Sequence, residues 1–172
     1  MIGNRHSFLD AGKTERECVT ELVREAEANG YVSLEAKQAA GEKIQPGDKV
    51  YAVGMKKIMA LFHVGQEPLE KGMNILGAHI DSPRLDVKQN PLYEDTDLAY
   101  LDTHYYGGVK KYQWVTLPLA MHGVVAKKDG TVVEINIGEQ ASDPVVGVSD
   151  LLIHLAGEQL EKKGNKVTIC RY

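Results

Sequence analysis

The pattern of apolar and polar positions predicts a helix near the start of the chain. Apolar side chains recur at helical spacing from Cys18 to Ala26. Thr14 and Glu17 stand just before them at the spacing of a capping box, in which a hydroxyl and a carboxylate each satisfy an unpaired backbone amide. Gly30 follows at a position where a left-handed residue commonly ends a helix. An amphipathic helix is therefore expected between Thr14 and Gly30.

Two short apolar runs, Val50 to Val53 and Ile58 to Val64, predict a β-hairpin. Residues 54–57, Gly-Met-Lys-Lys, separate the runs and can close the turn between them. Pro46, Gly47 and Asp48 precede the first run and are typical of a turn. The hairpin is thus bounded by turn signals on the side where it begins.

A third apolar run covers residues 74–80 and is nearly all apolar, as a strand buried on both faces is. Pro83 cannot continue the ladder of a central strand, so the strand is expected to end before it. His79 and Asp81 then lie at the carboxyl end of this strand. In open α/β sheets, active sites collect at that end of the strands.

Beyond about Asn90 the pattern changes to antiparallel β-structure with many aromatic residues, concentrated between Tyr100 and Trp114. Asp129-Gly130 separates two apolar runs, residues 123–127 and 131–137, and is a strong signal for a two-residue hairpin. This part of the chain therefore predicts hairpins, in contrast to the α/β segment before it.

A last helix is expected near residues 149–163. Ser149 is a suitable N-cap, and Gly164 stands where the helix can end. The apolar residues between them recur at helical spacing and are Leu151, Leu152, Leu155 and Leu160. His154 lies three residues after Leu151, which places it close to the apolar side of this helix.

Composition and charge narrow the classes of partner. The 172 residues include 20 basic and 24 acidic side chains, for a net charge of -4, which argues against a nucleic-acid partner. No stretch is apolar enough for a signal peptide or a membrane-spanning helix, so no membrane partner is expected. The two cysteines, Cys18 and Cys170, form no disulfide framework and are expected to be reduced thiols, which indicates a cytoplasmic protein.

His79 and Asp81 are the first candidate for site chemistry. A ligating imidazole binds zinc through one nitrogen and is oriented by an acceptor on the other, and residues 79 and 81 of an extended strand point to the same side. A His two residues before an Asp is also frequent by chance, and a buried hydrogen-bonded histidine is the commoner explanation. His104 and His122 are expected only to pack or to form hydrogen bonds.

Four stretches of the chain, in order, resemble the aspartyl aminopeptidases, a family of dinuclear-zinc enzymes. The stretches are Gly-Ala-His-Ile-Asp-Ser-Pro-Arg-Leu at 77–85, the Tyr-Gly-Gly region at 103–114, Leu-Pro-Leu-Ala-Met-His-Gly-Val-Val at 117–125 and Ser-Asp-Leu-Leu-Ile-His-Leu at 149–155. The opening segment at 8–12, Phe-Leu-Asp-Ala-Gly, also fits. The resemblance therefore covers nearly the entire chain.

The resemblance implies a role for three residues. His79 matches a histidine that ligates one of two zinc ions, and Asp81 matches the carboxylate that orients this histidine and supports catalysis. His154 matches a histidine that the dimerisation domain sends into a neighbouring subunit's active site, where it stabilises the reacting carbonyl. Without the resemblance, a surface or interface histidine is the simpler explanation of His154.

Only part of the catalytic set is recognisable. In the family, a bridging Asp, a Glu base beside a Glu ligand, a further Asp and a final His come from beyond the dimerisation domain. This chain supplies one recognisable zinc ligand, His79. A two-metal hydrolase needs several ligands and a general base. The sequence is therefore expected to be truncated relative to the family, and inactive alone.

The predicted fold class is α/β: residues 1–89 form part of a zinc-peptidase α/β sheet domain, and residues 90–172 part of an antiparallel β dimerisation domain. The implied function is a zinc metallo-aminopeptidase that removes N-terminal, acidic residues from peptides by metal-activated water, in a homo-oligomer assembled through the β domain. One alternative is a non-catalytic module that dimerises with a full-length homologue. Another is a small aromatic-rich binding domain unrelated to peptidases.

Overall fold

The computed structural model describes residues 2–163, with side chains from His6 onward, and divides into two compact units. The first unit ends at Asp81 and the second begins at Ser82. Residues 84–89, which the prediction assigns to the first domain, belong to the first strand of the second unit. Gly164 and Cys170, on which two predictions rest, lie outside the described residues.

The helices of the first unit are α1 (Ile2–Ala11), α2 (Glu15–Ala28) and α3 (Leu34–Ala39). The predicted capping box begins α2: the Glu17 amide donates to the Thr14 hydroxyl at 3.4 Å, and the Thr14 amide donates to the Glu17 carboxylate at 2.8 Å. Gly30 adopts a φ of 81° and ends the helix. The helix predicted between Thr14 and Gly30 is confirmed, whereas α1 had no sequence signal.

The sheet of the first unit comprises β1 (Val32–Ser33), β2 (Lys49–Gly54) and β3 (Ile58–His63). β1 pairs with β2 in parallel, and β2 pairs with β3 as the predicted antiparallel hairpin. The Lys57 amide donates to the Gly54 carbonyl at 2.9 Å and closes the turn. Val50 and Tyr51 of β2 are buried and join Cys18, Val19 and Ala26 of α2 in the core.

The predicted buried strand at residues 74–80 is wrong. This segment has no regular secondary structure, and it follows a short 3-10 helix at Leu69–Lys71. Ile75 is 81% exposed and Leu76 is 100% exposed. A strand that is buried on both faces needs paired strands beside it and helices over it. The described residues provide neither to this segment, so its apolar side chains remain on the surface.

Up to residue 163, the second unit has six strands, all paired antiparallel: β4 (Arg84–Asp95), β5 (Leu98–Tyr106), β6 (Pro118–Leu119), β7 (Met121–Ala126), β8 (Val132–Ile137) and β9 (Val146–Gly147). β4 pairs with β5, β7 with β8, and β6 with β9. The hairpin predicted around Asp129-Gly130 is confirmed, but its loop covers residues 127–131 and is not the two-residue turn expected. The Thr131 amide donates to the Asp129 carboxylate at 2.9 Å within this loop. Helices and small sheets together make a mixed α and β fold, consistent with the α/β expectation.

The predicted helix from Ser149 to Gly164 is wrong over the described residues. A 3-10 turn at Ile153–Leu155 and a four-residue helix, α4 (Gly157–Leu160), replace it. The Asp150 carboxylate accepts a 2.8 Å hydrogen bond from the Leu151 amide, and such a local bond competes with helix formation. Helices depend on packing of an apolar face, and here Leu152 and Leu155 are exposed. No helix among the described residues has the length and apolar character to cross a membrane.

Candidate active site

His79 and Asp81 are in contact. The Nδ1 atom of His79 lies 3.1 Å from the Oδ1 atom of Asp81 and 3.1 Å from its backbone carbonyl oxygen. With its proton on Nδ1, the imidazole donates to Asp81 and keeps the lone pair of Nε2 for a metal ion. The His79 side chain is 85% exposed, so the ring is accessible to a ligand. The structure thus places His79 and Asp81 in contact, on an irregular segment and not at a strand end.

Cys18 of helix α2 contacts the segment that carries His79 and Asp81. Its thiol lies 3.6 Å from the carbonyl oxygen of Ile80, the residue between His79 and Asp81. Burial, followed by the charges of Glu17 and Glu15, raises the pKa of the Cys18 thiol above its ordinary value. The thiol is therefore protonated near neutral pH and acts as a hydrogen-bond donor. The sequence signalled only that Cys18 belongs to the apolar stripe of α2.

The residues described here do not complete a zinc centre. A catalytic zinc takes three protein ligands and leaves a fourth position for water. Among residues 2–163, no three His, Cys, Asp or Glu side chains come together in a group that could hold a metal ion. The first unit contributes one candidate ligand, His79, and one carboxylate in contact with it, Asp81.

His154 lies in the second unit, in a short 3-10 helix at Ile153–Leu155, and is exposed. Its predicted place beside the buried face of a helix is wrong, because both of its neighbours, Ile153 and Leu155, are themselves exposed. A hydrogen bond spans this 3-10 helix: the Gln159 side-chain amide donates to the Asp150 carboxylate at 3.2 Å. That bond connects the residues on either side of the turn.

Several polar contacts in the second unit had no clear signal in the sequence. His122, with 9% of its side chain exposed, lies 2.9 Å from Glu139, in line with the hydrogen-bonding role expected for it. The Arg84 guanidinium donates to Asp86 at 2.6 Å and lies 4.0 Å from the Tyr106 ring centroid. Arg84 and Asp86 share one side of strand β4, and this i, i+2 spacing is the signal that could have been used.

Comparison with known proteins shows which protein family the chain matches. Residues 8–170 match the family model described as aminopeptidase I zinc metalloprotease (M18). The "Probable M18 family aminopeptidase 1" of Clostridium acetobutylicum is 64% identical over 167 residues, covering 96% of this chain and 36% of that protein. The chain therefore spans about a third of the length of this relative.

Solved structures agree with the sequence match. The crystal structure of aminopeptidase I from Clostridium acetobutylicum has a TM-score of 0.83 at 61% identity and covers 97% of this chain and 36% of that one. The M18-family aminopeptidase of Thermotoga maritima has a TM-score of 0.82 at 45% identity, and the match covers 96% of this chain and 36% of that one. Both similarities extend over nearly all of the present chain.

Proposed function

Because the chain belongs to the aminopeptidase I zinc metalloprotease family (M18), we propose that it serves in a zinc metallo-aminopeptidase acting on peptides with N-terminal acidic residues. The observation that carries the proposal is the 3.1 Å contact between His79 Nδ1 and Asp81 Oδ1. This contact gives the imidazole the arrangement of a metal ligand with an orienting carboxylate. Accordingly, His79 ligates one of two zinc ions and Asp81 orients it and supports catalysis.

His154 is proposed to act in the active site of a neighbouring subunit, where an imidazole can stabilise developing negative charge on the reacting carbonyl. Its exposure, between the exposed side chains of Ile153 and Leu155, supports this role because an interface residue must be accessible before assembly. Residues 90–172 are then part of the dimerisation domain of a homo-oligomer, and residues 1–89 are part of the peptidase domain.

The alternative of a non-catalytic dimerising module has less support, because the relatives named above are aminopeptidases. The preference for acidic residues, the presence of two zinc ions and the cytoplasmic location belong to the proposal. They follow from the resemblance of the four motifs and, for the location, from the two cysteines. The absence of nucleic-acid and membrane partners stays a prediction from charge and hydropathy.

Metal binding by the 172-residue polypeptide tests the proposal. Co²⁺ stands in for zinc. Because one imidazole holds a metal ion only weakly, Co²⁺ is added at high concentration, and its binding is followed by the paramagnetic shift of the Ile80 amide in wild type, His79→Ala and His63→Ala. His63 is the matched control, because it is an exposed histidine of the same unit at the end of β3. We expect His79→Ala to abolish the shift at Ile80 and His63→Ala to retain it.

Asp81→Asn separates the orienting role from ligation. The variant keeps the shape of the side chain but removes its charge, so Co²⁺ binding is expected to weaken by about 10- to 100-fold, as substitutions of orienting partners do. Unchanged Co²⁺ binding in both His79→Ala and Asp81→Asn would contradict the proposed roles of these two residues.

A further inference from the structure

The segment that carries His79 has little regular structure to hold its shape. Residues 72–83 contain neither helix nor strand, and residues 71–79 are exposed. Ile80 and Asp81 are half-buried, and at Ile80 the backbone meets helix α2 through the Cys18 thiol, 3.6 Å from the carbonyl oxygen. This contact joins residues far apart in sequence, at the point where the segment approaches the core of the first unit.

The Cys18 thiol occupies a site built around it. Cys18 is 4% exposed, and its sulfur lies 3.5 Å from the Gly12 carbonyl oxygen as well as 3.6 Å from that of Ile80. A Cβ atom at position 12 would lie only 2.7 Å from the sulfur. Glycine at position 12 therefore leaves room for the thiol, which has one proton for two carbonyl acceptors.

The Ile80 carbonyl belongs to the peptide unit that links Ile80 to Asp81. Because a peptide unit is planar, fixing the direction of its carbonyl also fixes the direction in which the chain enters Asp81. That direction sets where the Asp81 carboxylate lies relative to the His79 ring, and the two are 3.1 Å apart. A contact to the Ile80 carbonyl thus affects the position of Asp81 relative to His79 without involving either side chain.

We propose that Cys18 is a positioning residue of the candidate active site, whose thiol donates to the Ile80 carbonyl and thereby places Asp81 against His79. The inference rests on the proposed function of the His79–Asp81 pair and adds a residue from α2 to it. A buried cysteine can also serve simply as a small apolar side chain. The two roles differ in whether the S–H donor is required.

The test reads the tautomer of His79 directly. In ¹⁵N-labelled 172-residue polypeptide without metal, at a pH above the ordinary histidine pKa, the ring nitrogen shifts report which nitrogen carries the proton. Donation to Asp81 requires the proton on Nδ1, whereas a free imidazole favours Nε2. We expect the Nδ1–H form to dominate in wild type and to fall by about twofold or more in Cys18→Ala, since the carboxylate that selects this tautomer is displaced.

Two variants distinguish a donor from packing. Cys18→Ser keeps a donor and is expected to restore the wild-type tautomer ratio. Val19→Ala is the packing control, because Val19 is 3% exposed on the same helix and its side chain cannot donate to Ile80. It is expected to leave the ratio unchanged. Cys18→Thr against Cys18→Val provides a second pair, nearly equal in shape and differing in the hydroxyl, should Cys18→Ala fail to fold.

An unchanged His79 tautomer in Cys18→Ala, or an equal change in Val19→Ala, would overturn the positioning role. Equal ratios in Cys18→Thr and Cys18→Val would overturn it as well. Because the tautomer is read without metal, this result is independent of Co²⁺ binding. Loss of the proposed metal ligation and loss of the proposed positioning are therefore separate outcomes.

Discussion

The hydroxyl of Tyr51 donates a 2.7 Å hydrogen bond to the carboxylate of Glu27, joining strand β2 to the last turn of helix α2. This bond is the main cause that raises the pKa of Tyr51 above its ordinary value of 10.0, and burial and the negative charges of Glu27 and Glu35 add to it. The contact therefore stabilises the first unit only while the phenol keeps its proton.

Alkaline pH should remove this stabilisation. The pKa of Tyr51 is higher in the folded chain than in the unfolded one, so the contribution is complete below pH 10.0 and is lost as the pH rises through the folded value. Tyr51→Phe is expected to be less stable near neutral pH by about 1 kcal/mol. The difference should disappear in strongly alkaline solution, as measured by urea unfolding followed by circular dichroism.

Tyr31→Phe is the control for this experiment, because the ring of Tyr31 lies 5.7 Å from the Lys49 ammonium and takes no part in the bond to Glu27. Its stability near neutral pH should be close to that of wild type, because the variant leaves the bond between Tyr51 and Glu27 in place. A Tyr51→Phe difference that stays constant from neutral to alkaline pH would show that the bond to Glu27 does not determine the effect.

Thr14→Ala should destabilise the start of α2 by about 1 kcal/mol, because the variant leaves the Glu17 amide without its hydroxyl acceptor. Amide hydrogen exchange at the first turn of α2 measures the loss. Thr20→Ala is the matched control: its hydroxyl donates to the Arg16 carbonyl within the helix, a bond that does little for helix stability. Equal exchange in both variants would argue against the capping role.

Gly30→Ala should cost about 1–2 kcal/mol, the penalty for a side chain in the left-handed region. Nothing lies within 4 Å of a Cβ atom built at this position, so the cost comes from the backbone φ of 81° and not from a clash. Gly65→Ala, at a glycine without positive φ where a Cβ atom would come no closer than 3.9 Å to the Glu67 amide nitrogen, should be nearly neutral. Thermal unfolding of the two variants checks the difference.

The exposed segment at residues 74–80 should promote association of the chain. Leu76 is fully exposed, and burying one leucine between two copies is worth about 1.5–3 kcal/mol, or roughly tenfold or more in affinity. Leu76→Lys is therefore expected to lower the association constant measured by analytical ultracentrifugation. Met55→Lys, at a residue 91% exposed on the β2–β3 turn, should have a smaller effect. A monodisperse wild-type monomer would contradict the prediction.

His154 should rescue a full-length relative whose own equivalent histidine has been replaced. The 172-residue polypeptide alone is expected to show no turnover of aspartyl substrates, because it supplies one recognisable zinc ligand. Mixed with the deficient relative, it should restore part of the aminopeptidase activity, whereas His154→Ala should not. His104→Ala, at another exposed histidine of the second unit, serves as the control. Equal rescue by wild type and His154→Ala would show that His154 is an ordinary surface residue without a role in the neighbouring active site.

The sequence predicted those parts of the fold whose causes lie within a few residues of each other. The capping pair Thr14 and Glu17, the turn at 54–57 and Asp129-Gly130 each specify their local structure directly, and all three are confirmed. The strand at 74–80 and the helix after Ser149 were predicted from apolar patterns alone. An apolar pattern becomes regular structure only when other elements of the fold cover its apolar side chains. The described residues do not cover the apolar side chains of these two segments.

The same distinction holds for the candidate site. His79 and Asp81 are two residues apart, so their contact was within reach of a sequence argument. The contact of Cys18 with Ile80 spans 62 positions and depends on how α2 meets the rest of the unit. No periodicity in the sequence indicates such a pairing.

The hairpins of the second unit bear on how this part of the chain folds. In β4–β5 and β7–β8, each strand pairs with the next one along the chain, so a short loop closes before the first hydrogen bonds form. β6 and β9 instead join Pro118 to Gly147 around the whole β7–β8 hairpin, with only two paired positions. Closing this longer loop loses more chain entropy and gains fewer bonds. The two hairpins should therefore form on the fast timescale of local contacts, and the β6–β9 pair, which brings the segment before His154 into place, should form last.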